Sequence, residues 1–271
     1  MLACGLNIGG LDPTGGAGIL ADIKAMESFG VFGCGVATAI TIQRPDQVLN
    51  VWLEPPERIV KSTLEVCNSL PIRAIKLGMI GSGRTIEKLA SVLRGLNGIK
   101  IVTDPVLKAS DGTLLLDKKG LKILLPELCS LSEIVTPNIN ELSAITGKKI
   151  RDHEDAAEAA QMLLSIGAGW VYVKGGHLNP ASREVIDLLV GNGVIKKFTK
   201  HRLPIQSAHG TGCAFAASLA AALALGQPVR QAAASANRYI QQTLRRSWKP
   251  RNSKAHLLGF SRYRSPEASK N

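Results

Sequence analysis

The chain has 271 residues, of which 45% are hydrophobic and 20% are charged, and its formal net charge is +12. This composition is typical of a globular protein and excludes a disordered chain or a fibre. The five cysteines contain no C-x-x-C pair and no Cys/His cluster with zinc spacing, which excludes a disulfide scaffold and indicates a reducing compartment.

The sequence predicts no membrane segment. The start of the chain lacks the basic region and the long apolar region of a signal peptide. The longest apolar stretch, 214–225, is interrupted by Ser218 and is far shorter than the roughly 20 residues of a membrane helix. We therefore expect a soluble cytoplasmic protein.

The positive charge is concentrated near the C-terminus. Residues 245–271 contain eight Lys or Arg and one Glu, a net charge of +7, which leaves +5 for residues 1–244. We predict one domain at 1–244 and a basic, mostly disordered tail at 245–271. A charge of +5 suits an anionic substrate, whereas nucleic-acid binding is not expected beyond a contact of the tail.

Short apolar runs alternate with amphipathic stretches along the chain, which predicts alternating strands and helices. In chain order we predict a strand at 2–8, a helix at 16–29, a strand at 36–42, a helix at 56–70, a strand at 74–77, a helix at 85–96, a strand at 100–103, a helix at 120–128, a strand at 134–136, helices at 140–146 and 153–166, a strand at 171–173, an edge hairpin at 185–190 and 196–202, and helices at 211–225 and 229–243.

This alternation is typical of an α/β fold with a mostly parallel central sheet flanked by helices on both faces. In such folds ligands bind beyond the carboxyl ends of the strands. Residues that directly follow strands are therefore the candidates for chemistry. The chain has no P-loop, dinucleotide-binding, G-x-S-x-G or H-E-x-x-H motif, which makes several common enzyme classes less favoured.

Two glycine-rich segments each open a helix. The first, GGLDPTGGAG at 9–18, has five glycines that allow close backbone approach to a ligand; the alternative is a tight turn with a helix cap. The second, HGTGC at 209–213, can align backbone amides into an anion hole. Cys213 lies in the first helical turn, where the helix dipole is expected to lower the thiol pKa; alternatively it is a small buried hydrophobic residue.

Three further sites place polar residues after predicted strands. Asp104 precedes Pro105, and Asn138 and Glu141 follow Thr136-Pro137. Carboxylates beside a phosphate site usually hold Mg²⁺, although helix capping also explains Asn138 and Glu141. Lys174 precedes two glycines and can reach a nucleotide phosphate, or it is an exposed loop lysine. Together these parts indicate phosphoryl transfer, where catalysis is mostly positioning and charge stabilisation.

The chain resembles the hydroxymethylpyrimidine/phosphomethylpyrimidine kinases of thiamine biosynthesis, which belong to the ribokinase superfamily. The resemblance covers most of residues 5–245. It rests on these segments: GGLDPTGGAGILADIK at 9–24, GVFGCGVATAITIQ at 30–43, LGMI at 77–80, DPVL at 104–107, TPNINE at 136–141, VKGGH at 173–177 and HGTGC at 209–213.

The resemblance implies a two-step, ATP-dependent phosphorylation of an aminopyrimidine alcohol and then of its monophosphate, and it implies a homodimer. The residues implied to bind the pyrimidine are Gly10, Asp12, Asp22, Gln43, Met79 and Val106. Cys213 would act as catalytic base or its close helper, and the amides of Gly210, Thr211 and Gly212 would hold the transferring phosphoryl group. Lys174 and Asn138 would bind ATP, and Asp104 and Glu141 would organise Mg²⁺.

The chain departs from the family pattern after Gln43, where Arg44-Pro45 replaces Asn-Thr, and at Leu107–Asp111, which is one residue shorter. Arg44 is a candidate for holding a substrate phosphate. Two alternatives remain: a pyridoxal or pyridoxine kinase of the same fold, and a non-catalytic binder of a vitamin precursor. The complete set of phosphate-binding elements argues against the non-catalytic binder.

Overall fold

A central sheet of nine strands organises the protein, in a computed structural model that describes residues 2–205 and 207–263. The strands are β1 (Cys4–Leu11), β2 (Phe32–Arg44), β3 (Gln47–Leu53), β4 (Ile72–Leu77), β5 (Lys100–Thr103), β6 (Ile134–Val135), β7 (Trp170–Val173), β8 (Glu184–Gly191) and β9 (Val194–His201). Their order in the sheet is β3-β2-β1-β4-β5-β6-β7-β8-β9.

Six adjacent strands run parallel: β2, β1, β4, β5, β6 and β7. At one edge of the sheet β3 pairs antiparallel with β2, and at the other edge β8 pairs antiparallel with β7 and β9 with β8. The sequence predicted the parallel strands and the edge hairpin of β8 and β9. It did not predict β3. Most side chains of β3 are exposed, so the strand shows no buried alternation that periodicity would detect.

Helices cover both faces of the sheet, as predicted. They are α1 (Gly18–Ser28), α2 (Pro56–Ser69), α3 (Gly83–Leu93), α4 (Lys118–Glu127), α5 (Ile139–Thr146), α6 (His153–Ser165), α7 (Thr211–Ala224) and α8 (Val229–Arg245). Side chains of α2 to α6 pack into one core, and those of α1, α7 and α8 pack into the other. None of the helices within the described ranges is both long and apolar enough to cross a bilayer.

Helix α7 is buried along nearly its whole length, because its many alanines allow neighbouring elements to approach closely. It packs against α1, α8 and the central strands β4 and β5. This burial holds the N-terminus of α7 against the carboxyl ends of those strands, where the second glycine-rich segment lies.

The C-terminal segment, residues 246–263, is not the disordered tail that the sequence predicted. Its strand β11 (His256–Leu257) pairs in parallel with β10 (Ala208–His209). The Tyr263 ring stacks on Phe29 with ring centroids 4.3 Å apart, and its backbone N–H donates to the Ser28 carbonyl. A few buried residues among many Lys and Arg side chains anchor the segment, a pattern that composition alone does not detect. The remaining part of the predicted tail, 264–271, lies outside the described residues.

Candidate active site

A cavity of about 1330 Å³ opens at the carboxyl ends of the parallel strands. Its volume exceeds the roughly 300–1,000 Å³ of a typical small-molecule pocket, which leaves room for two ligands. All of the predicted site residues except Asp22 line it: Gly10, Asp12, Gln43, Met79, Val106, Asp104, Asn138, Glu141, Lys174, Gly210, Thr211, Gly212 and Cys213. Their individual roles remain predictions.

Asp12 holds the first glycine-rich turn together. Its carboxylate accepts hydrogen bonds from the backbone N–H of Thr14 and of Ala17 and from the Thr14 hydroxyl. Although burial raises its pKa, hydrogen bonds from His209 and Thr14 bring the pKa of Asp12 below its usual value. Gly18 has φ of +58°, and a Cβ there would overlap the Gly10 carbonyl oxygen. Only glycine therefore fits where this turn enters α1.

The second glycine-rich segment forms the N-terminus of α7. Gly210 caps the helix in the left-handed conformation, and a Cβ on it would overlap the Gly16 carbonyl oxygen. The two glycine-rich segments therefore pack directly against each other. The backbone N–H groups of the first turn, Thr211 to Cys213, precede Ala214, the first residue whose N–H donates within the helix. They are therefore available to an anion at the end of the helix dipole.

A buried ion pair lies beneath the α7 N-terminus. Lys76 Nζ donates to Asp22 Oδ2 at 2.7 Å, and both side chains are 1% exposed or less. Burial raises the pKa of Asp22 to about 6, against the opposing effect of the Lys76 ammonium. Lys76 also lines the cavity, whereas Asp22 reaches it only through Lys76. Sequence analysis missed Lys76; the signal was a charged residue in the otherwise apolar end of strand β4.

The predicted lowering of the Cys213 pKa is wrong for the ligand-free protein. Burial raises the pKa of this thiol to about 11, and the carboxylates of Asp22 and Asp104 add to the rise. The Lys76 ammonium acts in the opposite direction without reversing it. At neutral pH the thiol is therefore protonated, because its partial burial disfavours the thiolate more than Lys76 favours it.

Lys174 connects the two predicted metal ligands. Its Nζ lies 2.7 Å from Asp104 Oδ1 and 3.7 Å from Glu141 Oε2. The Thr136 hydroxyl donates to Asp104 at 3.1 Å, a contact that the sequence did not predict. A Cβ on Gly212 would lie 3.2 Å from Lys174 Nζ, so the lysine ammonium directly faces the α7 N-terminus.

Asn138 and Glu141 form the capping box of α5: the Asn138 side chain accepts from the Glu141 N–H, and the Glu141 carboxylate accepts from the Asn138 N–H. The capping alternative is thus observed. Burial raises the pKa of Glu141 to about 7. Among the described residues no three His, Cys, Asp or Glu cluster as metal ligands. A Mg²⁺ ion that keeps several waters needs only one or two carboxylates, so Asp104 and Glu141 stay its predicted ligands.

His209 joins residues from distant parts of the chain, and sequence analysis did not anticipate this contact. Its Nε2 lies 2.8 Å from Asp12 Oδ2 and 2.9 Å from Gln43 Nε2. Arg44, which follows Gln43, lines an adjoining cavity of about 740 Å³ with Arg251 and Lys254. This cavity shares Ser110, Ser207 and His209 with the main cavity. The phosphate-binding role of Arg44 therefore stays a prediction.

The fold and the site together define a kinase of the ribokinase-like class: a helix N-terminus, a lysine and two carboxylates converge beyond the strand ends. A model of the phosphomethylpyrimidine kinase family matches residues 12–257, and the chain belongs to that family. This match extends well into the region that the sequence assigned to a tail.

Related proteins of known name include a kinase of the same family and a bifunctional protein of thiamine biosynthesis. The chain is 36% identical over 245 residues to hydroxymethylpyrimidine/phosphomethylpyrimidine kinase of Rhizobium meliloti, covering 90% of this chain and 91% of that protein. It is 37% identical over 240 residues to the thiamine biosynthesis bifunctional protein ThiED of Geobacter sulfurreducens. That match covers 89% of this chain but spans about half, 49%, of the bifunctional protein.

Solved structures show two kinds of neighbour. Phosphomethylpyrimidine kinase of Clostridium difficile superimposes with a TM-score of 0.79 and 33% identity, covering 89% of this chain and 99% of that chain. Pyridoxal kinase of Staphylococcus aureus in complex with ADP superimposes with a TM-score of 0.87 and 28% identity, covering 97% and 95%. The same kinase has also been solved with AMP-PCP and pyridoxal.

Proposed function

We propose that this protein transfers the terminal phosphoryl group of ATP to 4-amino-5-hydroxymethyl-2-methylpyrimidine and then to the resulting monophosphate, giving the diphosphate used in thiamine biosynthesis. The observation that carries the proposal is the convergence of the α7 N-terminus, Cys213 and Lys174 in one cavity of a chain that belongs to the phosphomethylpyrimidine kinase family.

In this proposal each part of the cavity has its own task. The amides of Thr211 and Gly212 face the transferring phosphoryl group and offset the charge that spreads over its oxygens. Lys174 neutralises phosphate charge from the other side, facing Gly212. Cys213 is placed beside the substrate hydroxyl. Because phosphoryl transfer passes through a loose transition state, the hydroxyl proton has to leave only late in the reaction.

Asp104 and Glu141 fit the role of holding Mg²⁺, directly or through water. When bound with ATP, the ion supplies positive charge to the phosphate oxygens. In the protein alone Lys174 occupies the space between these carboxylates, which keeps their negative charges compensated. Phosphate binding then requires the lysine ammonium to share its hydrogen bonds between Asp104 and ATP.

A pyridoxal kinase activity is the second candidate. The likeness to the pyridoxal kinase of Staphylococcus aureus covers 97% of this chain, and an aldehyde such as pyridoxal can add to a thiol placed as Cys213 is. The family match and the higher identity to pyrimidine kinases favour the pyrimidine as substrate.

Product analysis by mass tests the proposal. The protein is mixed with Mg-ATP and hydroxymethylpyrimidine, and with pyridoxal in a parallel tube. We expect the pyrimidine monophosphate first and the diphosphate later. Pyridoxal phosphate as the only product would select the second candidate, and no product in either tube would leave a non-catalytic binder. The Lys174→Met variant is expected to lose about 100-fold or more in turnover, whereas Lys196→Met, on the exposed edge strand β9, should not.

We also propose that the protein acts in the cytoplasm as a homodimer. Ile40 and Trp52 are register partners on β2 and β3, and together with Ile42 they are each 45–50% exposed. Adjacent large apolar side chains at a sheet edge are typical of an interaction surface. A second copy of the chain is the partner that the family resemblance implies.

A further inference from the structure

The imidazole of His209 lies between Asp12 and Gln43 and faces both with the same ring nitrogen. Nε2 is 2.8 Å from Asp12 Oδ2 and 2.9 Å from Gln43 Nε2. A ring nitrogen is a donor when it carries a proton and an acceptor when it does not. The two neighbours therefore have to be compatible with a single state of Nε2.

Asp12 determines that state. Its carboxylate already accepts hydrogen bonds from Thr14 and Ala17, and the pKa of Asp12 is lowered because these bonds and His209 outweigh its burial. An ionised carboxylate only accepts hydrogen bonds. The 2.8 Å contact thus requires Nε2 of His209 to carry a proton and to donate it to Asp12.

Nε2 carries one proton, so it can also bond Gln43 only by sharing that proton between Asp12 and a second acceptor. The Gln43 amide must then present its carbonyl oxygen. The two ends of a carboxamide have nearly the same shape, and half a turn about the terminal bond exchanges them. The turned amide directs Oε1 to His209 and its NH₂ group to Thr41. At the other orientation two N–H donors would face each other at 2.9 Å.

Thr41 independently requires the same orientation. Its Oγ1 lies 3.0 Å from the Leu11 carbonyl oxygen and 3.2 Å from the end of the Gln43 amide that does not face His209. The hydroxyl has one proton, and the Leu11 carbonyl can only accept it. Oγ1 is then an acceptor towards Gln43, and an NH₂ group is the matching donor.

We propose that His209 is a positioning residue that, held by Asp12, fixes the Gln43 amide so that one N–H of its NH₂ group faces the substrate. Because the carbonyl end is occupied by His209, Gln43 offers the ligand a donor. It therefore selects a ring with an unprotonated nitrogen acceptor opposite it. The aminopyrimidine has such a nitrogen, so this inference rests on the proposed function for the identity of the ligand.

Steady-state kinetics of two His209 variants test the effect on substrate binding. His209→Leu removes the donor, and His209→Gln keeps an N–H donor on a side chain of similar reach. For His209→Leu we expect the KM for the pyrimidine to rise about tenfold, the value of one hydrogen bond, with kcat and the KM for ATP changed less than about twofold. His209→Gln should recover most of the loss. An unchanged KM, or a fall in kcat alone, would overturn the proposal.

The protonation state of the His209 imidazole can be measured without an activity assay. In protein labelled with ¹⁵N-histidine, the His209 signals are assigned as those missing in His209→Gln. We expect Nε2 to carry a proton, in the neutral ring or in the imidazolium. A neutral ring with its proton on Nδ1 alone would refute the assignment. If the unmodified protein phosphorylates no pyrimidine, the proposed function fails, and this spectrum still decides the role of His209.

Discussion

Cys213 lies in the first turn of α7, where opposite influences act on its thiol. Burial and the carboxylates of Asp22 and Asp104 raise its pKa to about 11, and the Lys76 ammonium opposes them. The thiol is therefore neutral around pH 7 before the substrates bind. A neutral thiol can lie close to the anionic phosphates of ATP and of the pyrimidine monophosphate without charge repulsion, and it does not compete as a phosphoryl acceptor.

The reactivity of Cys213 should follow this raised pKa. Only the thiolate is alkylated, so the rate of iodoacetamide labelling at Cys213 should rise about tenfold per pH unit from pH 7 to 9.5 without reaching a plateau. Peptide mass analysis separates this site from the other cysteines, and Cys213→Ser identifies the peptide. A rate that levels off by pH 7 would show a thiolate and would contradict the assignment.

The Asp22–Lys76 pair is buried, so each charge depends on its partner for compensation. Replacing one partner leaves the other charge buried without compensation, which typically costs about 3–5 kcal/mol. We therefore expect Lys76→Met to lower the free energy of unfolding by about 3 kcal/mol at pH 8. The pair as a whole is not a large source of stability, so the double variant Asp22→Asn/Lys76→Met should recover part of the loss.

The loss in Lys76→Met should also depend on pH. Without the ammonium the folded-state pKa of Asp22 rises further above its unfolded value near 3.8. A carboxyl with a raised folded pKa stabilises the fold at low pH and loses this contribution as the pH rises through that pKa. Urea unfolding at pH 5 and pH 8 should thus show the smaller loss at pH 5. Equal losses at the two pH values would contradict the burial argument; Lys119→Met, from an exposed pair, is the control.

At the scale of elements, the C-terminal segment contributes to the site through β10. Strand β11 pairs with Ala208 and His209, and the Lys254 N–H donates to Asp46 at the tip of the β2–β3 hairpin. Asp111 accepts from the Val48 N–H of the same hairpin. The two departures from the family pattern are therefore neighbours, because Arg44-Pro45 lies in this hairpin and Leu107–Asp111 contacts it. The same hairpin carries Gln43.

Truncation distinguishes a structural segment from a dispensable tail. A chain ending at Arg245 loses β11, the buried Leu258 and the Tyr263 stack, whereas a chain ending at Tyr263 loses none of the described contacts. We expect the shorter chain to melt several degrees lower, because burying one leucine alone contributes about 2 kcal/mol. Its KM for the pyrimidine should rise as His209 loses its neighbouring strand. Equal melting temperatures for both chains would show that the segment is dispensable.

The sequence predicted the elements and residues whose signals are local. Asp104 and Lys174 directly follow buried strands, and parallel strands bring their carboxyl ends together, so these residues could be placed in one site. Gln43 and His209 are separated by 166 positions, and nothing local predicts their contact. The prediction of a lowered pKa for Cys213 was wrong for a related reason. The helix terminus is visible in the sequence, whereas the burial that raises the thiol pKa is not.

The whole sheet explains where the cavity lies. The strand order runs outward from β1 through β2 in one direction and from β4 through β5 in the other, so the chain reverses its direction between β1 and β4. Ligands bind beyond the strand ends at such a reversal. Gly10 and Asp12 lie at the end of β1, and Lys76 lies near the end of β4. The site therefore occupies the crevice that the topology opens.

The exposed apolar patch of Ile40, Ile42 and Trp52 predicts the behaviour of the molecule in solution. We expect the protein to sediment as a dimer and Trp52→Lys to sediment near the 28.8 kDa of one chain. Trp248→Lys, equally exposed but outside the patch, serves as the matched control and should remain dimeric. A dimer that survives Trp52→Lys would place the interface elsewhere.

The most direct test of the proposed function is a competition between hydroxymethylpyrimidine and pyridoxal in one tube with Mg-ATP, followed by mass analysis of all products over time. The ratio of early product rates equals the ratio of the two kcat/KM values at equal substrate concentrations. The account predicts that pyrimidine monophosphate exceeds pyridoxal phosphate by at least about tenfold, a difference of one hydrogen bond, and that pyrimidine diphosphate follows. Pyridoxal phosphate as the main early product would contradict it.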